Sequence, residues 1–312
     1  MAEALFLGLD IGGTKIELVA CDDALNVLQR ERIATPGDDF ESFVEQTARL
    51  IEQSEAQVGR AATAVGLGMP GIVDGISGCQ LSSNVPALNG QRVAPALSAR
   101  LNRPVHMGND CQCFALSEAN GGAAEGLPSM FGAILGTGAG GGFCVNGRLI
   151  TGYNGLAGEW GHWPVPSAQV QRYGLPLLDC PCGLRGCLER YVSGRGLVAL
   201  HQHLAGSTLD DAEAVHALAA SGNALAINAL AIHLDLLAQA LAGLVLAYDP
   251  HAIVLGGGLS KLQRLYEELP AAMARHLFRG VRVPPVLPPR FGDAGGARGA
   301  ALLARQRTHQ NP

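Results

Sequence analysis

A strand, a glycine-rich turn and a second strand occur twice in this chain, and that recurrence constrains the fold more than any other feature. Ala4–Leu9 reads as a strand leading into Asp10-Ile11-Gly12-Gly13-Thr14-Lys15, with a second strand over Ile16–Ala20. Phe131–Leu135 leads in the same way into Gly136-Thr137-Gly138-Ala139-Gly140-Gly141-Gly142 and a strand at Phe143–Val145. Both turns join strand to strand, which fits a Rossmann fingerprint poorly because there the turn opens a helix. The Gly-Lys-Ser/Thr spacing of a Walker A loop is absent. The pattern predicts an internal duplication: two related α/β halves with the ligand in a cleft between them.

The rest of the chain is consistent with that frame. A third strand is expected at Val27–Ile33, a helix at Phe40–Ala56 with Phe43, Thr47, Leu50 and Ile51 at helical spacing, and a buried strand at Ala64–Gly68 ending in Met69-Pro70-Gly71. Pro104–Met107 reads as a strand and Cys111–Asn120 as a helix, with Asn109-Asp110 between them. The second half opens near Ser129, and helices follow at Arg195–Leu204, Asp211–Ala220 and Ala224–Ala247. A strand at Ala252–Leu255 ends in Gly256-Gly257-Gly258, before helices at Leu262–His276 and Gly295–Arg307. The boundary is placed so that 1–118, joined by 295–312, forms a small α/β domain and 119–294 a large one.

Composition excludes several classes. Hydrophobic residues at 48% and charged residues at 16% support a packed core. A net charge of −5 lacks the basic footprint that nucleic acid demands. Met1–Leu9 shows no targeting pattern, and the 13-residue apolar run Leu236–Tyr248, interrupted by Gln239, falls short of the ~20 residues of a membrane span. A cytoplasmic protein is expected. Glycine is the outlier: 42 of 312 residues is about twice the ~7% of an average chain, and the clustering points to close backbone approach.

Three glycine clusters are candidate phosphate cradles. Gly12 and Gly13 let backbone N–H groups approach an anion, Thr14 adds a hydroxyl, and Asp10 is placed to hold Mg²⁺ directly or through water. Alone, that turn also suits an ordinary hairpin. Gly136, Thr137, Gly138, Gly140 and Gly141 form the second cluster, and Gly257 with Gly258 the third. Asp110, at the start of a helix, can take the proton of a hydroxyl attacking a γ-phosphate while Asn109 orients a neighbouring hydroxyl. The same pair is equally a good helix cap.

The cysteine pattern is the most specific signal. Cys180-Pro181-Cys182 and Cys187, with Gly183 and Gly186 allowing a tight knuckle and His162 upstream, make a closed Cys₃His set suited to structural zinc. Cys21, Cys79, Cys111, Cys113 and Cys144 are expected to be buried small hydrophobes. Glu159 and Glu189 flank the knuckle and read either as acceptors for sugar hydroxyls or as surface glutamates.

Together, Asp10–Lys15, Met69-Pro70-Gly71, Asn109-Asp110, Gly136–Gly142, Glu159–His162, Cys180–Cys187 with Glu189, and Gly256–Gly258 resemble the ROK family of sugar kinases and repressors over essentially the whole chain. The resemblance implies a duplicated actin/hexokinase-like (ribonuclease H-like) α/β fold with two domains around a cleft, ATP with Mg²⁺, a structural Zn²⁺ and a homodimer. It implies that Asp110 is the catalytic base, that Gly71, Asn84, Asn109, Glu159 and Glu189 contact sugar, and that His162 serves the zinc beside the sugar. ROK repressors carry an N-terminal helix-turn-helix domain, for which a first strand at about residue 4 leaves no room. Asn84-Val85-Pro86-Ala87, Gly174-Leu175-Pro176, Val192–Gly196 and Gly292–Ala301 are similar to bacterial N-acetylglucosamine kinases, whereas Leu88-Asn89-Gly90 and Asn154–His162 are similar to fructokinases and mannokinases. The expected reaction is 6-phosphorylation of N-acetyl-D-glucosamine, the alternatives being a fructokinase, mannokinase or glucokinase of the family, or a sugar-sensing relative. Asn109-Asp110-Cys111-Gln112 departs from the family's usual Asn-Asp-Ala-Asn.

Overall fold

A computed structural model describes residues 4–37, 39–81, 85–292 and 295–310. The first sheet is built from β1 (Leu5–Ile11), β2 (Lys15–Asp22), β3 (Val27–Ala34), β4 (Ala64–Met69) and, beyond a small hairpin of β5 (Ile72–Val73) and β6 (Gln80–Leu81), β7 (Val105–Asn109). Its order is β3-β2-β1-β4-β7. β1 runs antiparallel to β2, with Asp10 opposite Glu17, and parallel to β4, while β4 pairs with β7 in parallel so that Met69 lies opposite Asn109. Burial explains the placement. β1 is apolar along almost its whole length and sits centrally, whereas β3 alternates exposed and half-buried residues at an edge.

The second sheet repeats the plan with β8 (Ser129–Leu135), β9 (Ala139–Val145), β10 (Arg148–Ile150), β11 (Ile253–Gly256) and β12 (Val286–Leu287), in the order β10-β9-β8-β11-β12. Three strands consecutive in sequence, followed by two parallel additions on the far side, occur in both sheets. This is the duplication expected from the paired glycine turns.

The helices are α1 (Phe40–Val58), α2 (Val93–Leu101), α3 (Asp110–Ala119), α4 (Ser167–Tyr173), α5 (Glu189–Val192), α6 (Gly194–Ala205), α7 (Ala212–Ala220), α8 (Ala224–Tyr248), α9 (Gln263–Ala274) and α10 (Gly295–Gln310). Their ends follow capping chemistry: Asp39 accepts from Ser42 N–H ahead of α1, and Gly59 closes that helix at a φ of 78°. The chain divides into two compact units, one of residues 1–125, 142–157 and 290–312, the other of 126–141 and 158–289. Residues 142–157 thus group with the first unit, on the other side of the boundary drawn from the sequence.

α10 lies on β1, β4 and α3 with very small residues between. A Cβ at Gly8 or Gly66 would overlap the carbonyls of Ala297 or Ala300, and one at Gly299 the carbonyl of Cys113. Ala297, Ala300, Ala301 and Ala304 are buried in return. Part of the glycine excess therefore serves helix-on-sheet packing rather than a ligand.

Two expectations need correction. α8 has 25 residues and a mean hydropathy of 1.9 over its most apolar window, so one helix among the described residues is long and apolar enough to cross a membrane; 72% of that window is buried inside the protein. Of the five cysteines expected to be buried, Cys21, Cys113 and Cys144 are, but Cys79 and Cys111 are half-exposed, in the hairpin turn and at the start of α3.

Candidate active site and metal cluster

In the first unit, the turn between β1 and β2 consists of Gly12, Gly13 and Thr14, with the side chains of Thr14 and Lys15 exposed. Gly12 N–H donates to the Lys15 carbonyl at 2.9 Å, and the Thr35 hydroxyl donates to the Gly12 carbonyl at 2.6 Å. Asp10 precedes this turn near the end of β1. The first turn of α10 comes so close that a Cβ at Gly296 would stand 2.7 Å from the Asp10 carboxylate.

The ends of β4 and β7 bring Gly71, Asn109 and Asp110 together. Asn109 Oδ1 accepts from the N–H groups of Cys111 (2.9 Å) and Gln112 (3.2 Å), and its Nδ2 donates to the Gly71 carbonyl at 3.2 Å. Gly71 holds a φ of 84°, a backbone that a side chain would strain. Asn109 is therefore both a helix cap and a strap on the Gly71 turn, with one amide hydrogen left for a ligand. Asp110 is the first residue of α3 and its Oδ1 accepts from Cys111 N–H at 2.8 Å. Loss of hydration among the surrounding protein atoms pushes its carboxyl above the usual carboxylate range, against the lowering effect of that hydrogen bond. Such a carboxylate at the start of a helix suits general base chemistry. Asn84 lies outside the described residues.

In the second unit, the glycine turn is shorter than the sequence suggested. Only Gly136, Thr137 and Gly138 lie between β8 and β9; Gly140 and Gly141 are inside β9. The reason is packing. Trp160 Nε1 donates to the Gly140 carbonyl at 2.7 Å, and a Cβ at Gly141 would overlap the Gly132 carbonyl and the Phe131 ring. The true turn is closed by Gly136 N–H to the Gly138 carbonyl (3.0 Å) and braced by Gly194 N–H to the Gly136 carbonyl (2.8 Å). Gly257, at a φ of 75°, lies against it: a Cβ there would come within 2.6–2.7 Å of Leu135 and Gly136 backbone atoms. Gly258 opens the short 3-10 turn that follows. The second and third glycine clusters therefore meet. Glu189 meets them too, because its Oε2 accepts from Ala139 N–H at 2.9 Å beside Gly138.

Four residues converge in the knuckle. One donor atom from each of His162, Cys180, Cys182 and Cys187 can be chosen so that all lie within 4.8 Å of one another. Cys182 Sγ is 3.7 Å from Cys187 Sγ, and Cys180 Sγ is 3.8 Å from His162 Nδ1. Zinc–sulfur bonds of ~2.3 Å in a tetrahedron give ligand separations of about 3.8 Å, so set and spacing both suit that ion. Gly183 and Gly186 have φ of 91° and 77°, which gives the tight knuckle its glycine requirement. On the other side of the imidazole, Glu159 Oε2 lies 3.8 Å from His162 Nε2.

Residues 6–307 match the ROK family. The chain belongs to that family. This ROK protein is 48% identical over 299 residues to the N-acetylgalactosamine kinase AgaK of Shewanella sp. (strain ANA-3), covering 96% of each chain. It is 41% identical over 301 residues to the N-acetyl-D-glucosamine kinase of Photobacterium profundum, covering 96% of this chain and 99% of that one. The crystal structure of a ROK hexokinase from Thermus thermophilus superposes with a TM-score of 0.88 at 32% identity, covering 98% of this chain and all of the other.

Sequence reasoning passed over two residues that the ROK fold uses here. Thr35 braces Gly12 from 23 positions away, and Gln112 reaches from α3 to the loop after β10. For Thr35 no local signal exists. For Gln112 the signal was its departure from the family's usual asparagine.

Proposed function

We propose that this ROK protein transfers the γ-phosphoryl group of ATP to the 6-hydroxyl of an N-acetylhexosamine, with N-acetyl-D-glucosamine as the first substrate. The observation that carries the reading is Asp110: a carboxylate fixed at the start of α3 next to the Asn109 cap, where a base can meet a hydroxyl, its pKa raised by burial. The names of the kinases at 41–48% identity support the reaction class and the acetamido sugar.

The roles divide as follows. Gly12, Gly13, Thr14 and Lys15, with Gly136, Thr137, Gly138, Gly257 and Gly258, offer backbone and hydroxyl donors to the nucleotide phosphates. Gly140 and Gly141 support that turn by packing. Asp10 is the residue that would hold Mg²⁺, which, when bound, offsets phosphate charge. Asp110 accepts the proton of the attacking hydroxyl. Gly71, Asn109, Glu159, His162 and Glu189 are the sugar-side candidates, and Asn84 joins them by resemblance alone. His162, Cys180, Cys182 and Cys187 would hold Zn²⁺ in a structural role, since four protein ligands leave no open position. A homodimer belongs to the same proposal.

N-acetyl-D-galactosamine is the second reading, favoured by the 48% identity to a kinase named for that sugar. The test is a coupled ADP-release assay with N-acetylglucosamine, N-acetylgalactosamine, glucose, mannose and fructose, with the product's phosphate located by NMR. The expected result is the highest kcat/KM for an acetamido sugar, phosphorylated at position 6. Efficient turnover of fructose or mannose with neither acetamido sugar accepted would overturn the substrate class and leave the family unchanged.

A further inference from the structure

Two successive carbonyls in the turn after β4 are held by side-chain amides. Asn109 Nδ2 donates to the Gly71 carbonyl at 3.2 Å, and Gln80 Nε2 donates to the Pro70 carbonyl at 2.8 Å. Gln80 lies on β6 and is buried, 2% exposed. Its main chain is fixed, because its N–H donates to the Gln91 carbonyl at 2.8 Å and its carbonyl accepts from Gly90 N–H at 2.7 Å. The remaining side-chain atom, Oε1, is buried without a hydrogen-bond partner. An acceptor left so costs stability, and exchanging the two amide atoms would set oxygen against the Pro70 oxygen. What Nε2 does is therefore the reason for a glutamine here. The 70–71 peptide is trans, so the Pro70 carbonyl and the Gly71 N–H point opposite ways in one plane. Holding the carbonyl aims the N–H. Gly71 is half-buried, and among the described residues nothing accepts from its N–H.

We propose that Gln80 is a positioning residue for sugar binding: its hold on the Pro70 carbonyl fixes the 70–71 peptide plane so that the Gly71 N–H is presented to a sugar hydroxyl oxygen. The inference rests on the reading of Gly71 as a sugar contact. A glycine at a φ of 84° has no side chain to restrict the peptide planes on either side of it. Asn109 holds the plane that follows Gly71, through the Gly71 carbonyl, and Gln80 holds the plane that precedes it. With both held, the turn does not rotate a peptide and withdraw its donor. Binding groups must be kept within ~0.5 Å of productive geometry, and two side-chain amides on adjacent carbonyls supply that restraint. Methionine or leucine at position 80 fills the volume and supplies no donor.

The test uses Gln80→Met and Gln80→Leu in the full chain, with steady-state kinetics, thermal melting and monodeoxy analogues that lack each non-reacting sugar hydroxyl in turn. A contact made equally in ground and transition states shows in KM. Gln80→Met should therefore raise sugar KM about three- to tenfold, the worth of one weakened hydrogen bond, with kcat within about threefold. ATP KM should stay near the wild-type value. The melting temperature should stay within about 3 °C of wild type, because the unpaired Oε1 is removed together with the lost bond. Gln80→Leu should behave in the same way. For the analogue lacking the hydroxyl that the Gly71 N–H meets, variant and wild type should have equal KM, while the other analogues keep the difference. Three outcomes would overturn the proposal: wild-type sugar KM in both variants, equal rises in sugar and ATP KM, or one variant-to-wild-type KM ratio for every analogue. Should wild-type protein accept no acetamido sugar, the proposed substrate falls. Gln80 is then still tested by the same comparisons on whichever hexose is turned over.

Discussion

The two five-stranded sheets share one strand order but use their small residues differently. In the first sheet, Gly8 on β1 and Gly66 on β4 remove side chains so that α10 can lie directly on the strands. In the second, Gly141 on β9 admits the Gly132 carbonyl and the Phe131 ring, and Gly257 lets the end of β11 meet the Gly136–Gly138 turn. Both sheets are thinned to accept a helix, the second at Gly142 against α3, but only the second also draws its own turns together. The chemistry diverges in step. The first unit presents the Asp110 carboxylate on a capped helix start, whereas the second presents a glycine turn tied to Glu189 and a four-residue His/Cys cluster. A duplicated topology supplies two equal frames, and the side chains at the strand ends decide what each frame carries.

The largest expected effect breaks the first unit's contribution alone. Asp110→Asn should lower kcat by ~10²–10⁴, the usual worth of a general base, with zinc content unchanged. Its stability effect has a definite sign. A carboxyl whose pKa is raised in the folded state binds its proton more tightly there than in the unfolded chain, so ionising it at neutral pH costs stability. Removing the charge should therefore leave the melting temperature at pH 7 equal to or above that of wild type. In the wild-type enzyme, kcat/KM should fall on the acid side with an apparent pKa above the ~3.9 of an ordinary aspartate. Near wild-type turnover in the variant would remove Asp110 from the mechanism.

The contrast also shows what a sequence reveals. The Cys₃His set was legible because zinc ligation fixes residue types and close spacing, and Asn109-Asp110 because helix capping is local. The duplication into two related α/β halves followed from the paired turns. What stayed hidden depended on partners remote in the chain. A run of glycines does not say which of them face a neighbour, so Gly140 and Gly141 looked like turn residues until Trp160 and Phe131 were seen against them. α8 is legible at Ala224–Ala247, but its apolar run looks short because Asp235 bounds it and Gln239 interrupts it. In the fold, Tyr173 and His276 donate to Asp235, and Gln169 donates to both Asp235 and Gln239, so neighbouring segments satisfy both groups. Burial alone would raise the Asp235 carboxyl; the hydrogen bonds from Tyr173 and His276 outweigh it and hold the group below its usual value.

A second prediction breaks the other frame. If the knuckle is a zinc site, purified protein should carry about one zinc per chain, and Cys182→Ser should lose most of it. Glu159 faces His162, and Glu189 follows two residues after Cys187 and bonds Ala139 N–H, so losing the metal should disturb both carboxylates. The expected readout is a lower melting temperature and a sugar KM raised several-fold or more, with ATP KM less affected. Active, unchelated wild-type protein without zinc would end the reading.

The smallest expected effect sharpens the comparison between the two glycine turns. The second turn is braced by main chain, Gly194 N–H to the Gly136 carbonyl, a bond that no side-chain exchange removes cleanly. The first is braced by a side chain, the Thr35 hydroxyl on the Gly12 carbonyl, with Thr35 N–H on the Thr14 carbonyl as its main-chain support. Thr35→Val keeps the shape and the main-chain bond and deletes only the hydroxyl. A hydrogen bond of this kind is worth ~0.5–1.5 kcal/mol, so the turn should loosen without unfolding. If the turn cradles phosphate, ATP KM should rise by about two- to tenfold, since 1.4 kcal/mol corresponds to a factor of ten. Sugar KM and zinc content should not move, because Thr35 touches neither set of residues. A lower melting temperature with unchanged ATP KM would make the brace purely structural, and would shift the nucleotide-holding role toward Gly136–Gly138 and Gly257.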